Sequence, residues 1–358
     1  MRRTSRPTGS PSTIADVAER AGVSTATVSR VLNGSYPVSK DTRARVARAV
    51  EEIDFVQNAQ ARALVQAKTG VVGVVMADVS DPFYSEMIGA IQKVCGDNGR
   101  LLVICSTQGS ADAEISYLQV LRSQRVDAII VLGGGSDDAN QQASLAKQAA
   151  ALEREGCRLV LCGRPAPPAV HTILSVEVDN VDAARQAAHH LLASGHRHIL
   201  FLGGPEGSTT SRDRHLGFRR ALDEGGRTLA DCTLDSGPFS RQAGHDLATR
   251  HIKANTKFTA ILAASDFMAI GAIRAIRAAA LRIPDDLSIV GIDDIPSAAD
   301  MMPRLSTVRL PLSDMGRIAA GLALGLDRAP PPRPLGVVLV PGLTVGPPVP
   351  RRKPCLRR

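Results

Sequence analysis

The feature that most constrains the fold of this chain is a regular alternation, from residue 70 onward, of short apolar runs with longer stretches at helical spacing. Continuous apolar runs are typical of strands buried on both faces of a parallel sheet, and the intervening helices cover those faces. The alternation extends over about 275 residues, which is more than one sheet needs, so we predict two α/β lobes. The runs lie at residues 71–77, 101–105, 128–132, 159–162, 199–202, 260–263 and 288–292, with a further short strand predicted at 337–340.

The first 70 residues follow a different pattern, with three short helical signals. Thr13 with Asp16 three positions later forms a capping box, and Gly22 ends that helix. Ser24 caps a second helix, and Ser39 caps a third with an apolar stripe at positions 46, 47, 50 and 53. These signals predict a small all-α domain.

The first two helices and the short turn between them have the spacing of a helix-turn-helix. Val28 and its helical neighbours face inward, which leaves Thr25, Ala26, Ser29 and Arg30 on the outer face. Small polar groups followed by an arginine fit a DNA major groove, where arginine reads guanine. An ordinary helical hairpin with a solvated face is the alternative that spacing alone leaves open.

The net charge of +8 is concentrated at the two ends of the chain. Residues 1–70 contribute +5 and residues 351–358 contribute +5, so the remainder carries −2. A basic end on a near-neutral body is typical of a nucleic-acid module joined to another domain. No apolar run is long enough for a membrane span and no signal peptide follows the N-terminal arginines, so we expect a cytoplasmic protein.

Sequence motifs argue against an enzyme or a metal site. The chain has no phosphate-binding G-x-x-x-x-G-K-[ST], nucleophile-elbow G-x-S-x-G, zinc-protease H-E-x-x-H or C-x-x-C motif. The eight histidines are scattered without a cysteine or carboxylate constellation. We therefore expect no catalytic residues, no metal and no cofactor.

The segments TIADVAERAGVSTATVSRVLNG and VSKDTRARVARAVEEIDF resemble the DNA-binding headpiece of the LacI/GalR family of bacterial transcription regulators. The resemblance is nearly continuous from Thr13 to Leu64. It implies that three residues of the second helix read bases: Thr25, Ala26 and Arg30. It also implies that four residues lie near phosphates: Ser24, Thr27, Ser29 and Asn33.

The segment NAQARAL resembles the hinge helix of the same family. Asn58 can cap this short helix, and the small Ala61 would allow two hinge helices to approach closely beside Arg62. In the family a leucine at the position of Leu64 wedges into the minor groove, which kinks the duplex. A plain linker with Leu64 packed on the core is the alternative. Gln57 stands where the family usually has proline, and the loss of proline makes the boundary between the third helix and the hinge less rigid.

MADVSDPFYSEMIGAIQKV and several later segments, including SRDRHLGFRRAL and IPDDLSIVGIDD, resemble the core of that family, which has the fold of periplasmic sugar-binding proteins. Ligands of open α/β sheets bind beyond the carboxyl ends of the strands. The candidate ligand residues are Asp81, Phe83, Tyr84, Arg214, Phe239, Ser265, Asp266 and Asp293. Core packing for Phe83 and helix capping for Asp266 are alternatives of similar weight, whereas Arg212 is expected to be structural.

One departure from the family bears on the ligand. The family often has Asp-Arg after the fourth strand, where this chain has Gly163 and Arg164. The missing carboxylate suggests a ligand with fewer hydroxyl groups at this point or with an anionic group, and the arginines then suggest a sugar acid.

The sequence thus predicts a multidomain, two-lobed regulator that binds operator DNA as a homodimer, with no membrane partner. We expect a repressor controlled by a sugar or sugar acid; a ligand-activated or corepressor-dependent regulator, a sugar receptor and an α/β enzyme are the alternatives. A dimer is expected because residues 341–358 contain no leucine heptad. The predicted parts are a disordered arm (1–11), headpiece (12–57), hinge (58–69), core (70–345) and disordered basic tail (346–358), with lobes at 70–168 plus 299–328 and 169–298 plus 329–345.

Overall fold

The computed structural model describes residues 12–33, 37–55, 69–167, 170 and 173–349. The chain divides into two compact units, Met1–Thr69 and Gly70–Arg358. The predicted arm at residues 1–11 and the hinge residues Asn58, Ala61, Arg62 and Leu64 lie outside the described residues.

The first unit begins with two helices whose ends are set by local side-chain hydrogen bonds. In α1 (Ile14–Ala21) the Thr13 hydroxyl accepts from the Asp16 N–H, and the Asp16 carboxylate accepts from the Thr13 N–H. This confirms the predicted capping box. Gly22 then adopts a left-handed conformation with φ of 62°, which reverses the chain toward α2 (Thr25–Asn33).

The third helix, α3 (Lys40–Glu52), begins at the predicted cap, because the Ser39 hydroxyl accepts from the Thr42 N–H at 3.2 Å. The predicted apolar stripe was wrong at Ala47, which is exposed, whereas Ala49 is buried. Positions 46, 49, 50 and 53 keep to one helical face more closely. The small core that joins the three helices consists of Val17, Ala18, Ala21, Val28, Val46 and Ala49.

The second unit contains two parallel sheets. The first has the order β2-β1-β3-β4-β5, and its strands are β1 (Val71–Met76), β2 (Leu101–Ser106), β3 (Ala128–Leu132), β4 (Arg158–Cys162) and β5 (Leu174–Val176). The helices that follow its strands are α4 (Pro82–Asp97), α5 (Ala111–Ser123) and α6 (Ala139–Arg154). The predicted strands β1, β3 and β4 form the buried centre of this lobe, the N-lobe. The apolar run of β2 was wrongly predicted to be buried, because β2 lies at the sheet edge and is largely exposed.

The second sheet has the order β7-β6-β8-β9 and forms the C-lobe. Its strands are β6 (Ile199–Gly203), β7 (Thr233–Ser236), β8 (Ala260–Ala263) and β9 (Ser288–Val290). Its helices are α7 (Asn180–Ala193), α8 (Thr209–Glu224), α9 (Arg241–Lys253) and α10 (Asp266–Ala278). A short helix, α11 (Pro296–Ala299), follows β9.

The chain passes between the lobes more than once. The last helix, α12 (Leu312–Leu324), packs against α4 of the N-lobe, and β10 (Thr307–Arg309) pairs antiparallel with β11 (Val338–Val340). The sequence analysis placed residues 169–298 in the C-lobe. However, β5 pairs with β4 in the N-lobe sheet, and the chain therefore first passes into the C-lobe after Val176.

The predicted start of the disordered tail was also wrong. The carbonyl of Gly346 accepts from the buried His196 imidazole at 2.8 Å, and the N–H of Gly346 donates to Ser288 Oγ at 3.1 Å. Gly346 is thereby held on the C-lobe, and residues 350–358 lie outside the described residues. Among the described residues, no helix is long and apolar enough to cross a membrane.

Candidate DNA-binding surface and ligand cleft

The outer face of α2 presents the residues predicted to read bases. Thr25, Ala26 and Arg30 are exposed, while Val28 on the opposite face is fully buried. The helix is therefore held by its inner face and leaves its outer face accessible, as a major-groove helix requires.

The predicted phosphate-contacting residues fall at the start and along the edge of the same helix. Ser24 is exposed and Thr27 is half-buried, and their hydroxyls lie 2.9 Å apart. Ser24 Oγ also accepts from the Thr27 N–H at 3.1 Å, so this residue is the N-cap. Ser29 is half-buried, and the side chain of Asn33 lies outside the described residues.

In the second unit, a cleft between the lobes contains about 460 Å³ of empty space, part of which is open to solvent. Seven of the eight predicted ligand residues line it: Asp81, Phe83, Tyr84, Arg214, Phe239, Ser265 and Asp293. They converge because each follows a strand end or lies in the first turns of a helix that starts there.

Asp81 lies on the N-lobe side, immediately before α4. Its Oδ1 accepts from the Phe83 N–H at 3.0 Å, so it caps this helix. Only 7% of the residue is exposed. Burial raises the pKa of Asp81 to about 6, although the hydrogen bond from Phe83 opposes the shift.

Arg214 reaches the cleft from α8 on the C-lobe side. Its Nε donates to Asn180 Oδ1 at 2.9 Å, its Nη1 donates to the Ala264 carbonyl, and its Nη2 donates to Asp293 Oδ1 at 3.1 Å. Arg214 and Asp293 are both 3% exposed. This buried ion pair and the further hydrogen bonds of Arg214 fix the direction of both groups.

Asp293 has a strained backbone, with φ of 129° in a region that non-glycine residues rarely adopt. Burial raises the pKa of Asp293 well above its ordinary value, and the Arg214 guanidinium opposes this shift. Strain and burial of a charged group together are typical of a site kept for function.

Aromatic rings supply the apolar surface of the cleft. Phe83 and Tyr84 form an edge-to-face pair with centroids 5.0 Å apart. On the other lobe the Phe239 ring lies against Gly204, where a Cβ would come within 2.1 Å of the ring, and the Arg214 guanidinium lies 5.9 Å from its centroid. Such rings can stack on the apolar face of a sugar.

Asp266 does not line the cleft, and the prediction that it contacts ligand is corrected here. It is fully buried, where its carboxylate accepts from the Thr307 hydroxyl at 2.6 Å and the Ile295 N–H at 3.1 Å. Both oxygens are thus used to tie α10 to the segment after β9. Helix capping was also the wrong alternative, because Ser265 Oγ accepts from the Met268 N–H and is the N-cap.

Gly163 lines the cleft, and its φ of 103° favours glycine at this position. Arg164, in contrast, is not among the lining residues. It is 6% exposed and donates to Glu114 at 2.7 Å and to the Gly134 carbonyl at 3.2 Å. The arginine thought to favour a sugar acid is thus paired with a carboxylate behind the cleft.

A set of contacts joins the lobes at the rim of the cleft, and we refer to residues 135–137 and 207–212 as the interlobe latch. The Gly135 N–H donates to Thr209 Oγ1 at 2.9 Å, and the Thr209 N–H donates to the Gly135 carbonyl at 3.0 Å. The Asp137 N–H donates to the Gly207 carbonyl at 2.8 Å. Arg212 pairs with Asp137 at 2.5 Å, which is the structural role expected for it.

Sequence reasoning missed part of the cleft wall: Gly133, Gly134, Val178, Asn180, Thr210 and Leu310. Gly133 and Gly134 directly follow β3, so the rule that ligands bind at strand ends could have identified them. Asn180 and Leu310 lie near points where the chain passes from one lobe to the other, and no local sequence pattern predicts those points.

Comparisons with known proteins agree with both units. Residues 13–58 match the family described as bacterial regulatory proteins of the lacI family, and residues 69–324 match the periplasmic binding proteins and sugar binding domain of the LacI family. The chain is 34% identical to the HTH-type transcriptional regulator DegA of Bacillus subtilis, over 85% of this chain and 88% of DegA. It is 35% identical to the regulator GalS of Salmonella typhimurium, over 87% of this chain and 89% of GalS.

Among solved structures, the fold is similar to the Lac repressor dimer bound to operator and the anti-inducer ONPF. The TM-score is 0.78 at 28% identity, and the match covers 94% of this chain and 99% of that chain. The similarity therefore extends over headpiece and core.

Proposed function

The chain belongs to the LacI family of bacterial transcription regulators, and on that premise we propose how its residues divide the work of DNA binding and ligand sensing. It is a DNA-binding regulator, and we propose that it acts as a repressor of its operator. The observation that carries the proposal is the exposed outer face of α2, with Thr25, Ala26 and Arg30, on a helix capped by Ser24.

On the DNA side, Arg30 donates two hydrogen bonds to a guanine, and Thr25 with Ala26 contacts neighbouring base edges. Ser24, Thr27, Ser29 and Asn33 hold the helix against phosphates. For the hinge, we propose that Leu64 wedges into the minor groove, beside Asn58, Ala61 and Arg62.

On the ligand side, a sugar or sugar derivative occupies the cleft between the lobes. Arg214 and Asp293 hold its hydroxyl groups from the C-lobe, and Asp81 holds it from the N-lobe. Phe83, Tyr84 and Phe239 stack on its apolar faces. The ligand alters operator affinity by binding one relative position of the lobes better than another.

The chain acts as a homodimer, because two half-sites need two headpieces. We propose that the exposed edge strand β2 of the N-lobe contributes to the dimer interface. Leu101 is 63% exposed, Ile104 is 44% exposed and the nearby Val79 is 63% exposed. An apolar strand edge of this kind is a surface for pairing with a second chain. The variant Leu101→Glu, Ile104→Glu should sediment as a monomer; a dimer of unchanged stability would refute this interface.

A regulator of this kind acts in the cytoplasm and has no catalytic task. The cleft supports this proposal, because its charged lining groups are one arginine and two carboxylates engaged in capping and ion pairing.

The experiment is selection of binding sites from random double-stranded DNA by the full-length protein, followed by gel-shift titration. The wild-type chain should select a two-fold symmetric site. Arg30→Ala should lose about 1–3 kcal/mol of discrimination between this site and unrelated DNA. Arg154→Ala, which removes an exposed arginine from the end of α6, is the charge-matched control and should behave as wild type. Failure to select any site, or full discrimination by Arg30→Ala, would overturn the proposal.

A further inference from the structure

Two buried carboxylates of the cleft each have one oxygen without a partner. Asp81 Oδ1 accepts from the Phe83 N–H, and Asp293 Oδ1 accepts from Arg214. Within the part of the chain that the structure describes, no hydrogen bond reaches Oδ2 of either residue. Asp81 is 7% exposed and Asp293 is 3% exposed, and both line the cleft. Neither Oδ2 atom is among the described side-chain atoms that are fully buried without a hydrogen bond, so each keeps some contact with the cleft. A ligand that donates hydrogen bonds can therefore reach both oxygens.

The basic groups near the cleft are already engaged. Each nitrogen of Arg214 donates one hydrogen bond within the protein, to Asn180, Ala264 and Asp293. Arg164 lies outside the lining and pairs with Glu114. Among the residues that line the cleft, two carboxyl groups therefore accompany one guanidinium, so the lining holds one more acid than base.

Neighbouring acids also act on these two carboxyl groups. Burial raises the pKa of Asp293 most, Arg214 lowers it, and the fully buried Asp266 raises it further. Burial likewise raises the pKa of Asp81 most, and Asp78 adds a smaller increase. A cationic ligand therefore favours the ionised form of both carboxyl groups, whereas an anionic ligand disfavours it.

Resting on the function proposed above, we propose that the ligand is an amino sugar whose protonated amine donates hydrogen bonds to the free oxygens of Asp81 and Asp293. An ammonium group offers three donors and a positive charge, which a hydroxyl does not. The ring hydroxyls contact Thr210 and the spare N–H groups of Arg214, and the ring face stacks on Phe239. A sugar acid finds no partner in Arg164, which pairs with Glu114 and does not line the cleft.

The test is isothermal titration of the full-length protein at pH 7.5 with matched pairs of probes. The pairs are glucosamine with glucose, galactosamine with galactose, and mannosamine with mannose; glucuronate and galacturonate complete the set. The amine of at least one pair should bind at least tenfold more tightly than its neutral partner, and the uronates should bind most weakly. Equal or tighter binding of the neutral sugar or the uronate, or no binding of any amine, would overturn the proposal.

Two variants sharpen the result. Asp81→Asn keeps the shape of the side chain but removes its charge, so the preference for the amine should fall at least fivefold. Asp97→Asn removes an exposed carboxylate at the end of α4 and should leave the preference unchanged. The comparison of each amine with its neutral partner on the wild-type protein tests the amino-sugar proposal even if a variant folds poorly. Operator binding by the wild-type protein without ligand tests the proposed regulator function separately.

Discussion

The substitution Asp81→Asn should stabilise the ligand-free protein, and the gain should depend on pH. Asparagine is as good a helix N-cap as aspartate, so its Oδ1 can still accept from the Phe83 N–H at the start of α4. The substitution removes only the buried charge. Because burial disfavours the ionised carboxylate, its charge is a cost that the folded protein bears when no ligand is bound.

The size of the gain follows from the pKa of Asp81. Burial raises this pKa from 3.8 to about 6, so the folded state binds the proton more tightly than the unfolded state. Above pH 6 the ionised side chain therefore destabilises the fold, by about 3 kcal/mol at 1.36 kcal/mol per unit of pKa. The penalty is roughly half as large at pH 5 and vanishes below the unfolded pKa near 4. Asp81→Asn should raise the free energy of unfolding by these amounts at each pH.

Urea denaturation followed by far-UV circular dichroism measures the effect, since the chain contains no tryptophan for fluorescence. Wild type, Asp81→Asn and the exposed-site control Asp97→Asn are compared at pH 7.5 and pH 5. The control should change stability by no more than about 0.5 kcal/mol at either pH. A gain for Asp81→Asn that is the same at both pH values, or no gain at pH 7.5, would refute the reasoning from a desolvated charge.

Three further predictions concern other parts of the molecule. Thr209→Val removes the acceptor of the Gly135 N–H in the interlobe latch, so hydrogen exchange of the peptide containing Gly135 should accelerate about fivefold, the equivalent of about 1 kcal/mol. Thr228→Val, at an exposed threonine, is the control. Unchanged exchange in Thr209→Val would contradict a latch. Gly163→Ala places a side chain at φ of 103° and should cost about 1–3 kcal/mol in urea denaturation, so a neutral result would disprove the strain. Leu64→Ala should reduce both operator affinity and DNA bending in a circular-permutation gel assay; undiminished bending would return Leu64 to a linker role.

The parts of the fold that sequence reasoning identified correctly are those that local patterns determine. The capping box of Thr13 and Asp16 involves residues three positions apart, and β3 and β8 match the predicted apolar runs in both bounds. Asp81 was expected near the ligand because it follows a strand end, and Arg214 was expected in the cleft from the family resemblance; both line the cleft. Each inference needed only short segments of sequence.

The errors involve contacts between residues far apart in sequence. The role of Asp266 is decided by a hydrogen bond to Thr307, 41 positions later, which no local pattern reveals. The strand β5 has only three residues, too few for an apolar run to be recognised, so the lobe boundary was misplaced. Gly346 is held by His196 across 150 positions, in a segment whose prolines alone suggested disorder.

Helix α8 carries Thr209 and Arg212 of the interlobe latch as well as Arg214 of the cleft. Five residues of rise place Thr209 and Arg214 about 7.5 Å apart along one rigid rod. A substitution that refits Arg214 to a new ligand therefore also shifts the rim contacts that hold the lobes together. In this chain, a mutation that changes ligand preference would therefore also change the strength of the regulatory response. Evolution toward a new effector would need compensating substitutions at the rim.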